Sequence, residues 1–231
     1  MTTISILYDN HAQGDMRPGW GFSAWINVGD ESVLFDTGAD KLVFEHNARA
    51  LGCNLSTLSA LVLSHDHCDH IGAMSAVTRK GLRLYVQAGS TRRFAGYRRS
   101  GIEVIGVRGP TQVCPGVKST GRFGRRIREQ AVLVDGNEGP VLITGCAHAG
   151  IVTVAELATR LAGRRLALIV GGFHLFRSDE ADVRYVAEQL LRLGVDRIAP
   201  CHCTGDAATA ILRDAYEDRF VEASVGSQIK V

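Results

Sequence analysis

Histidine and aspartate residues concentrate in one short segment, and their spacing is that of metal ligands. Residues 64–70 read SHDHCDH, with three imidazoles and two carboxylates within six positions, directly after an apolar run. In an extended segment, His65 and His67 project to the same side. Asp69 and His70 fall at the turn into the next helix and can face an adjacent position. One segment can therefore offer two ligands to each of two metal ions, about 3.5–4 Å apart as in two-metal sites.

This donor set predicts a hydrolytic metal centre. Neutral imidazole nitrogens and carboxylate oxygens suit two Zn²⁺ ions, with Fe or Mn as alternatives. Metal ions of this kind lower the pKa of bound water to about 7, which would give a hydroxide able to attack an ester or phosphoester. The sequence has no Gly-x-Ser-x-Gly elbow, P-loop or dinucleotide-binding glycine motif. We therefore predict a metal-dependent hydrolase that needs no serine or cysteine nucleophile.

Short apolar strands and amphipathic helices surround this segment. Two hairpins are predicted, with turns at Gly29-Asp30 and Gly136-Asn137. The range 58–63 is a near-continuous apolar run, typical of a strand buried on both faces. The predicted helices cover residues 40–51, 71–78, 154–161, 178–193 and 206–216. Asp40 and Ser178 are the predicted N-caps of the first and fourth of these helices. The range 109–124 is predicted to be a loop. Helices that alternate with buried strands predict an α/β fold with two sheets packed together and helices outside, in four layers.

Composition sets broad limits on the protein. The chain has 231 residues, 45% of them hydrophobic, and a net charge of +2. We predict a single domain over residues 1–231, because no linker or break in composition interrupts it. No apolar run approaches the ~20 residues that span a bilayer, and the first residues do not have the pattern of a secretory signal. Cytoplasmic location and six reduced cysteines are therefore predicted, without a membrane partner.

The sequence resembles the metallo-β-lactamase superfamily in several segments. The matching segments are LFDTG (34–38), LSHDHCDHIG (63–72), VLITG (141–145) and the region of His202. The resemblance implies an αββα sandwich of two mixed β-sheets with a dinuclear metal site at one edge. The segments GCAHAG (145–150), GGFHL (171–175) and HCTG (202–205) are similar to a branch of archaeal dihydropteroate-synthase-like enzymes of methanopterin synthesis.

The same resemblance implies a set of metal ligands. His65, His67 and His148 would hold the first ion. Many members carry a histidine ligand between Gly72 and Thr144, which this sequence lacks, and His148 would take its place. The second ion would be held by Asp69, His70 and His202. His174 is either a further ligand or a residue that orients the substrate, or it is simply packed within the fold. Cys146 stands where the family usually has a metal-bridging aspartate, and it is either a thiolate ligand or a small core residue.

Other residues are predicted to support the site. Asp36 and Asp66 are candidates to hydrogen-bond ligand imidazoles, and Asp66, Asp69 and His174 are the candidate catalytic groups. The alternative role for Asp66 is that of a proton shuttle. Cys201 and Cys203 flank His202, and alternation along an extended segment predicts that both point away from the side that His202 faces.

Two arginine clusters favour an anionic small-molecule substrate. The candidate substrate-binding residues are Arg92, Arg93, Arg125 and Arg126, because guanidinium groups suit phosphate and carboxylate recognition. The alternative is that both clusters are solvated surface. Trp20, Phe22 and Trp25 would form either an aromatic wall over the site or part of the core.

Two other function classes stay open from the sequence. The branch resemblance implies a transferase that condenses a pterin diphosphate with an arylamine. A non-catalytic metal-bound binder of nucleic acid or protein is the third hypothesis, but no zinc-finger, helix-turn-helix or RNA-binding motif supports nucleic acid as a partner. The sequence does not determine the oligomeric state.

Overall fold

The computed structural model describes residues 2–231 as two β-sheets with helices on their outer faces. The first sheet contains β1 (Thr2–Tyr8), β2 (Ser23–Val28), β3 (Glu31–Phe35), β4 (Ala60–Val62), β5 (Arg83–Gln87), β6 (Glu103–Val107) and β13 (Gln228–Lys230), in the order β13-β1-β2-β3-β4-β5-β6. The second contains β7 (Thr111–Cys114), β8 (Val117–Ser119), β9 (Val132–Asp135), β10 (Pro140–Thr144), β11 (Leu168–Gly172) and β12 (Arg197–Cys201), in the order β12-β11-β10-β9-β8-β7. The helices are α1 (Lys41–Ala50), α2 (Cys68–Ile71), α3 (Ala95–Arg99), α4 (Ile151–Ala162), α5 (Glu180–Arg192) and α6 (Asp206–Tyr216).

Three hydrophobic clusters separate the layers. One lies between the sheets and includes Phe35 and Val170. A second joins the outer face of the second sheet to α4, α5 and α6, and a third joins the first sheet to α1 through Phe44. Three apolar interfaces require four layers, which confirms the predicted αββα sandwich. Both sheets mix parallel and antiparallel pairs, as predicted.

Parallel pairing determines where functional side chains gather. Strands β3 to β6 run parallel in the first sheet, and β10 to β12 run parallel in the second. The carboxyl ends of parallel strands meet at one edge, so the segments that follow β3, β4, β10, β11 and β12 come together there. Each of the predicted metal-ligand motifs follows one of these strands.

Three predicted features of secondary structure, two helices and one loop, differ from the observed ones. Helix α5 begins after Asp179, whose carboxylate accepts the backbone N–H of Asp182, so Asp179 is the N-cap and the prediction of Ser178 is wrong. The predicted helix 71–78 is also wrong: α2 lies earlier, within the histidine motif, and a 3₁₀ turn covers Met74–Ala76. The loop predicted at 109–124 contains β7 and β8. Asp40 caps α1 as predicted.

The helices of the described chain are short. The longest, α5, has 13 residues. Across residues 2–231, no helix combines the length and the hydrophobicity that crossing a bilayer requires.

Candidate metal centre

Six of the predicted metal ligands lie together in two sets that share no residue. The ligand atoms within each set lie within 4.8 Å of one another. The sets are His65, His67 and His148, and Asp69, His70 and His202. Three further sets connect them through Cys146: with His65 and His70, with His148 and His174, and with His202 and Cys203. The sulfur of Cys146 therefore lies at the middle of the histidine cluster, 3.2 Å from Nε2 of His70.

Asp36 determines which ring nitrogen of His65 and of His70 is free to bind a metal ion. This buried carboxylate accepts Nδ1–H of His70 at 2.7 Å and the hydroxyl of Ser64 at 2.6 Å. Because the only hydroxyl proton of Ser64 goes to Asp36, its oxygen must accept Nδ1–H of His65, which lies 2.9 Å away. Both imidazoles are thereby left with an unprotonated Nε2, the form that binds a metal ion.

A glycine makes this arrangement possible. A Cβ on Gly145 would lie 2.3 Å from Oγ of Ser64 and 3.0 Å from Oδ2 of Asp36. Side chains do not approach one another this closely, so any larger residue would disrupt the Asp36–Ser64 contact. Gly145 therefore lets the segment after β10 approach the segments after β3 and β4.

His202 is held by two residues that the sequence did not single out. Asp9 accepts the backbone N–H of His202 at 2.7 Å, and the Asn10 amide donates to its carbonyl at 2.9 Å. His202 has φ of 50°, a left-handed conformation that costs energy in a non-glycine residue and is typical of functional sites. Its Nδ1 lies 3.3 Å from Oδ1 of Asn10. Within residues 2–231, its buried Nε2 finds no hydrogen-bond partner and lies 3.5 Å from Oδ2 of Asp69.

His148 is positioned by Glu129, which the sequence reasoning also missed. Glu129 is 1% exposed, and its carboxylate lies 3.4 Å from Nδ1 of His148 and accepts the backbone N–H of Ala149 at 3.3 Å. The backbone N–H of Gln130 donates to the carbonyl of Ser64, which ties this segment to the histidine motif. A carboxylate on Nδ1–H leaves Nε2 free toward the metal set. The signal in the sequence was an acidic residue three positions before the start of the buried strand β9.

Glu129→Gln is expected to lower metal affinity about 10- to 100-fold, the usual cost of losing a carboxylate that orients a histidine ligand. The amide cannot favour one tautomer of His148 as the carboxylate does. Competition with a coloured zinc chelator measures the affinity, and Glu138→Gln at the protein surface is the control. Equal affinities of the two variants would show that Glu129 does not act on the metal centre.

The structure brings Cys203 into the site, against the prediction that it points away. Alternation does not apply, because residues His202–Thr204 form a 3₁₀ turn and not an extended strand. Burial acts to raise the pKa of the Cys203 thiol, but hydrogen bonds from Cys146 and His174 outweigh it and lower this pKa to about 6. The proton of the thiol pair therefore stays on Cys146, whose pKa is raised by its hydrogen bond to Cys203. Cys201 packs in the core between the sheets.

Two of the buried imidazoles, those of His65 and His202, are neutral at pH 7. Burial lowers the pKa of His65, and repulsion from the neighbouring histidines, His70 first, lowers it further. Burial lowers the pKa of His202 to about 2, and His70 adds to this shift. Burial also acts to lower the pKa of His70, but the Asp36 carboxylate reverses it, so this pKa is raised. Neutral imidazoles need not lose a proton before they bind a metal ion.

Metal-free protein is expected to lose stability as the pH falls below about 6.5, where an unfolded histidine takes up a proton. Folded His65 and His202 remain neutral there. Protonation of each residue in the unfolded state therefore lowers the free energy of unfolding by up to about 1.4 kcal/mol per pH unit. The raised pKa of His70 acts in the opposite direction above about pH 6.5, where the folded state takes up this proton first, and adds no slope below it. Urea unfolding of chelator-treated protein at about pH 7.5 and about pH 5.5 should show a fall on the order of 2 kcal/mol. An unchanged free energy of unfolding would contradict neutral buried imidazoles.

An open cavity adjoins the histidine cluster. Its volume is about 660 Å³, and His148, His174, Arg125 and Arg126 line part of it. His174 is exposed, with φ of 56°, and its ring centroid lies 4.4 Å from that of His148. Two of the four predicted substrate-binding arginines therefore lie beside the candidate centre.

The remaining predicted residues lie elsewhere around the motif. Asp66 forms an ion pair with Arg93 at 3.0 Å and has no imidazole partner among the described residues. Arg92 is exposed and does not line the cavity. Trp20 is 53% exposed, and its ring centroid lies 5.1 Å from that of His202 and 5.9 Å from that of Phe176. The other two aromatic residues of the predicted wall, Phe22 and Trp25, belong to the core.

Known proteins resemble this chain in both sequence and structure. The metallo-beta-lactamase superfamily model matches residues 17–81. A relative from Methanocaldococcus jannaschii, 7,8-dihydropterin-6-methyl-4-(beta-D-ribofuranosyl)-aminobenzene-5'-phosphate synthase, is 24% identical over 287 aligned positions that cover 98% of this chain and 96% of the relative.

Solved structures give the same fold. The crystal structure of Tm1679, a metal-dependent hydrolase of the beta-lactamase superfamily, has a TM-score of 0.85 and 24% identity, and covers 100% of this chain and 99% of its own. Zinc-bound PqqB from Methylobacterium extorquens has a TM-score of 0.65 and 14% identity. The alignment covers 99% of this chain and 100% of the PqqB chain. The chain thus has the metallo-β-lactamase fold, and its histidine motif lies in the segment that matches the metallo-beta-lactamase superfamily model.

Proposed function

We propose that the protein is a metal-dependent hydrolase that binds two metal ions and cleaves an anionic ester or phosphoester. The observation that carries this proposal is the pair of separate donor sets, His65/His67/His148 and Asp69/His70/His202, at one edge of the sandwich. One set offers three imidazoles, and the other offers two imidazoles and a carboxylate. Both are donor sets that zinc accepts at catalytic sites, with Fe or Mn as alternatives.

The residues present fit such ions. Nε2 of His65 and Nδ1 of His67 lie 3.0 Å apart, close to the roughly 3.3 Å between two nitrogens on a tetrahedral zinc with bonds of about 2.0 Å. The buried Nε2 of His202 has no partner in residues 2–231, and a buried nitrogen is rarely left unsatisfied without a ligand. When bound, such ions supply Lewis acidity and lower the pKa of a coordinated water to about 7.

The protein's own side chains would position and protonate the reacting groups. Asp36 and Glu129 hold three imidazoles in the tautomer that binds metal. We assign proton transfer to the leaving group to His174, because it is exposed at the cavity and its pKa is raised, chiefly by the hydrogen bond to Cys203. Asp69 would act as a ligand that faces solvent on one side. Asp66 would act on substrate only through its ion pair with Arg93.

The cavity favours a substrate that carries a phosphate or carboxylate. Arg125 and Arg126 are exposed on the cavity wall, where guanidinium groups can bind an anion through paired hydrogen bonds. Trp20 and Phe176 lie on the side of His202 and can pack against a planar group of the substrate. An anion combined with a planar ring is therefore the substrate class that this surface suits best.

A pterin-diphosphate/arylamine transferase is the second candidate. The aromatic pair Trp20 and Phe176 beside an arginine-lined cavity favours it, since a pterin phosphate is both planar and anionic. The relative from M. jannaschii is named as a synthase of a dihydropterin-aminobenzene phosphate. In this reaction the diphosphate would leave as an arylamine attacks.

The test is a substrate panel on zinc-loaded protein. The panel contains a phosphodiester, a phosphomonoester, a lactone and a thioester, followed by a pterin diphosphate with an arylamine. We expect the protein to turn over an anionic ester and a chelator to abolish this activity. In the double variant Arg125→Ala/Arg126→Ala, KM should increase about tenfold or more, because losing one charged contact costs about 1.4 kcal/mol or more. Arg184→Ala on α5 is the matched surface control. Turnover that survives complete metal removal would contradict the proposal, and turnover of the pterin pair alone would favour the transferase.

A further inference from the structure

Two buried thiols lie next to the proposed centre and are not part of its two ligand sets. Cys146 follows β10, and Cys203 lies in the 3₁₀ turn after β12. They are 3% and 2% exposed. Their sulfur atoms and a ring nitrogen of His202 all lie within 4.8 Å of one another, and Sγ of Cys203 lies 3.6 Å from the carbonyl oxygen of Cys146. The two sulfurs and the imidazole thus form a compact donor set inside the protein.

The fold leaves room for the sulfur of Cys203. A Cβ on Gly172 would lie 2.5 Å from this sulfur and 2.3 Å from the carbonyl oxygen of Gly145. Any other residue at position 172 would therefore displace the sulfur or the backbone. The second glycine of the motif Gly171-Gly172 is explained by the space that Cys203 occupies.

An unsatisfied atom in the same set points to a ligand. Nε2 of His202 has no hydrogen-bond partner within residues 2–231, although His202 is only 2% exposed. Leaving such a nitrogen unsatisfied costs about 1–3 kcal/mol. The carboxylate of Asp69 lies near this imidazole, and the two thiols form a donor set with it. An ion bound to His202 can therefore contact sulfur as well as oxygen.

We propose that Cys146, His202 and Cys203 form a thiolate-containing ligand set that binds a soft divalent cation, Zn²⁺ or Cd²⁺. This inference rests on the proposed metal centre, because His202 belongs to both sets. Two thiolates and one imidazole are a donor set that zinc uses in enzymes, with a fourth position left open. Both cysteines would bind the ion as thiolates, because the thiolate is the form of cysteine that binds metal ions.

Sulfur ligands would make this position selective. Thiolates favour Zn²⁺ and Cd²⁺, whereas Mn²⁺ and Mg²⁺ prefer oxygen. A centre built from imidazole and carboxylate alone would discriminate much less between Zn²⁺ and Mn²⁺. We therefore expect that Mn²⁺ does not displace Zn²⁺ from the ligand set formed by Cys146, His202 and Cys203.

X-ray absorption at the zinc edge of zinc-loaded wild-type protein tests the ligand set without any substitution. Zinc–sulfur bonds are about 2.3 Å long, distinct from zinc–nitrogen bonds of about 2.0 Å. Two sulfurs on one of two ions give an average of about one sulfur per zinc. An average of about half a sulfur would exclude one cysteine and overturn the proposal.

Cobalt substitution then assigns the sulfurs to residues. The Co²⁺-loaded protein should show sulfur-to-cobalt charge-transfer absorption in the near ultraviolet, and Cys146→Ser and Cys203→Ser should each remove about half of it. Cys53→Ser is the control, because this thiol packs with the apolar cluster around α1. A band that is unchanged in Cys203→Ser overturns the proposal.

The outcomes separate this inference from the proposed function. Metal that binds with only nitrogen and oxygen neighbours overturns the sulfur ligand set and leaves the hydrolase proposal intact. Protein that binds neither Zn²⁺ nor Co²⁺ overturns both.

Discussion

Replacing His65 by alanine is expected to lower metal-dependent hydrolysis about a thousandfold and to remove one of the two bound ions. His65 is nearly fully buried and belongs to two of the donor sets, one with His67 and His148 and one with His70 and Cys146. A thousandfold loss corresponds to about 4 kcal/mol, the several kcal/mol of charge stabilisation that a bound metal supplies. Metal content per chain and kcat/KM on the best ester of the substrate panel measure the effect.

The same variant has a second expected result in the metal-free state. Only His202 then remains as a strongly depressed buried histidine, so the loss of unfolding free energy between about pH 7.5 and about pH 5.5 should be about half that of the wild type. His46→Ala on α1 is the control and should retain full metal content and activity. Full metal content in His65→Ala would contradict the assignment of His65 as a ligand.

Asp36→Asn is expected to destabilise the protein by about 3 kcal/mol or more and to weaken metal binding about 10- to 100-fold. Asp36 accepts three hydrogen bonds, from the backbone N–H and hydroxyl of Ser64 and from Nδ1–H of His70. An amide has one acceptor oxygen and an NH₂ group that faces donors, so at least one buried donor is left without a partner. Without the carboxylate, His70 and His65 are no longer held in the metal-binding tautomer.

Urea unfolding of the metal-free protein and competition with a zinc chelator measure these two effects. Asp40→Asn is a matched control, because Asp40 caps α1 and asparagine is about as good an N-cap as aspartate. We expect Asp40→Asn to match the wild type in both measurements. Equal zinc affinity of the Asp36 and Asp40 variants would show that Asp36 has no influence on the metal centre.

The predictable parts of this protein are those encoded in contiguous sequence. Residues 65–70 predict metal ligands because their spacing alone places imidazoles on one side of an extended segment. The turn at Gly29-Asp30 joins β2 to β3 as predicted, since a two-residue hairpin loop needs only local chemistry. The four layers follow from the alternation of buried strands and helices.

The parts that sequence reasoning missed depend on contacts between distant segments. The hydrogen bond from the backbone of His202 to Asp9 spans 193 positions, and the contact of Glu129 with His148 crosses from the segment before β9 to the one after β10. Cys203 enters the site because the chain turns at His202, a non-glycine residue with φ of 50°. Left-handed φ values are rare outside glycine, so residue type gives no warning of such a turn.

The metal content per chain of wild type, His148→Ala and His174→Ala, measured by mass spectrometry, shows whether this protein binds two ions through the proposed residues. We expect about two ions per chain in the wild type and about one in His148→Ala, because one donor set loses a ligand. His46→Ala should retain the wild-type content. A wild-type protein that stays metal-free in excess zinc, or full metal content in His148→Ala, would contradict the proposed two-ion centre.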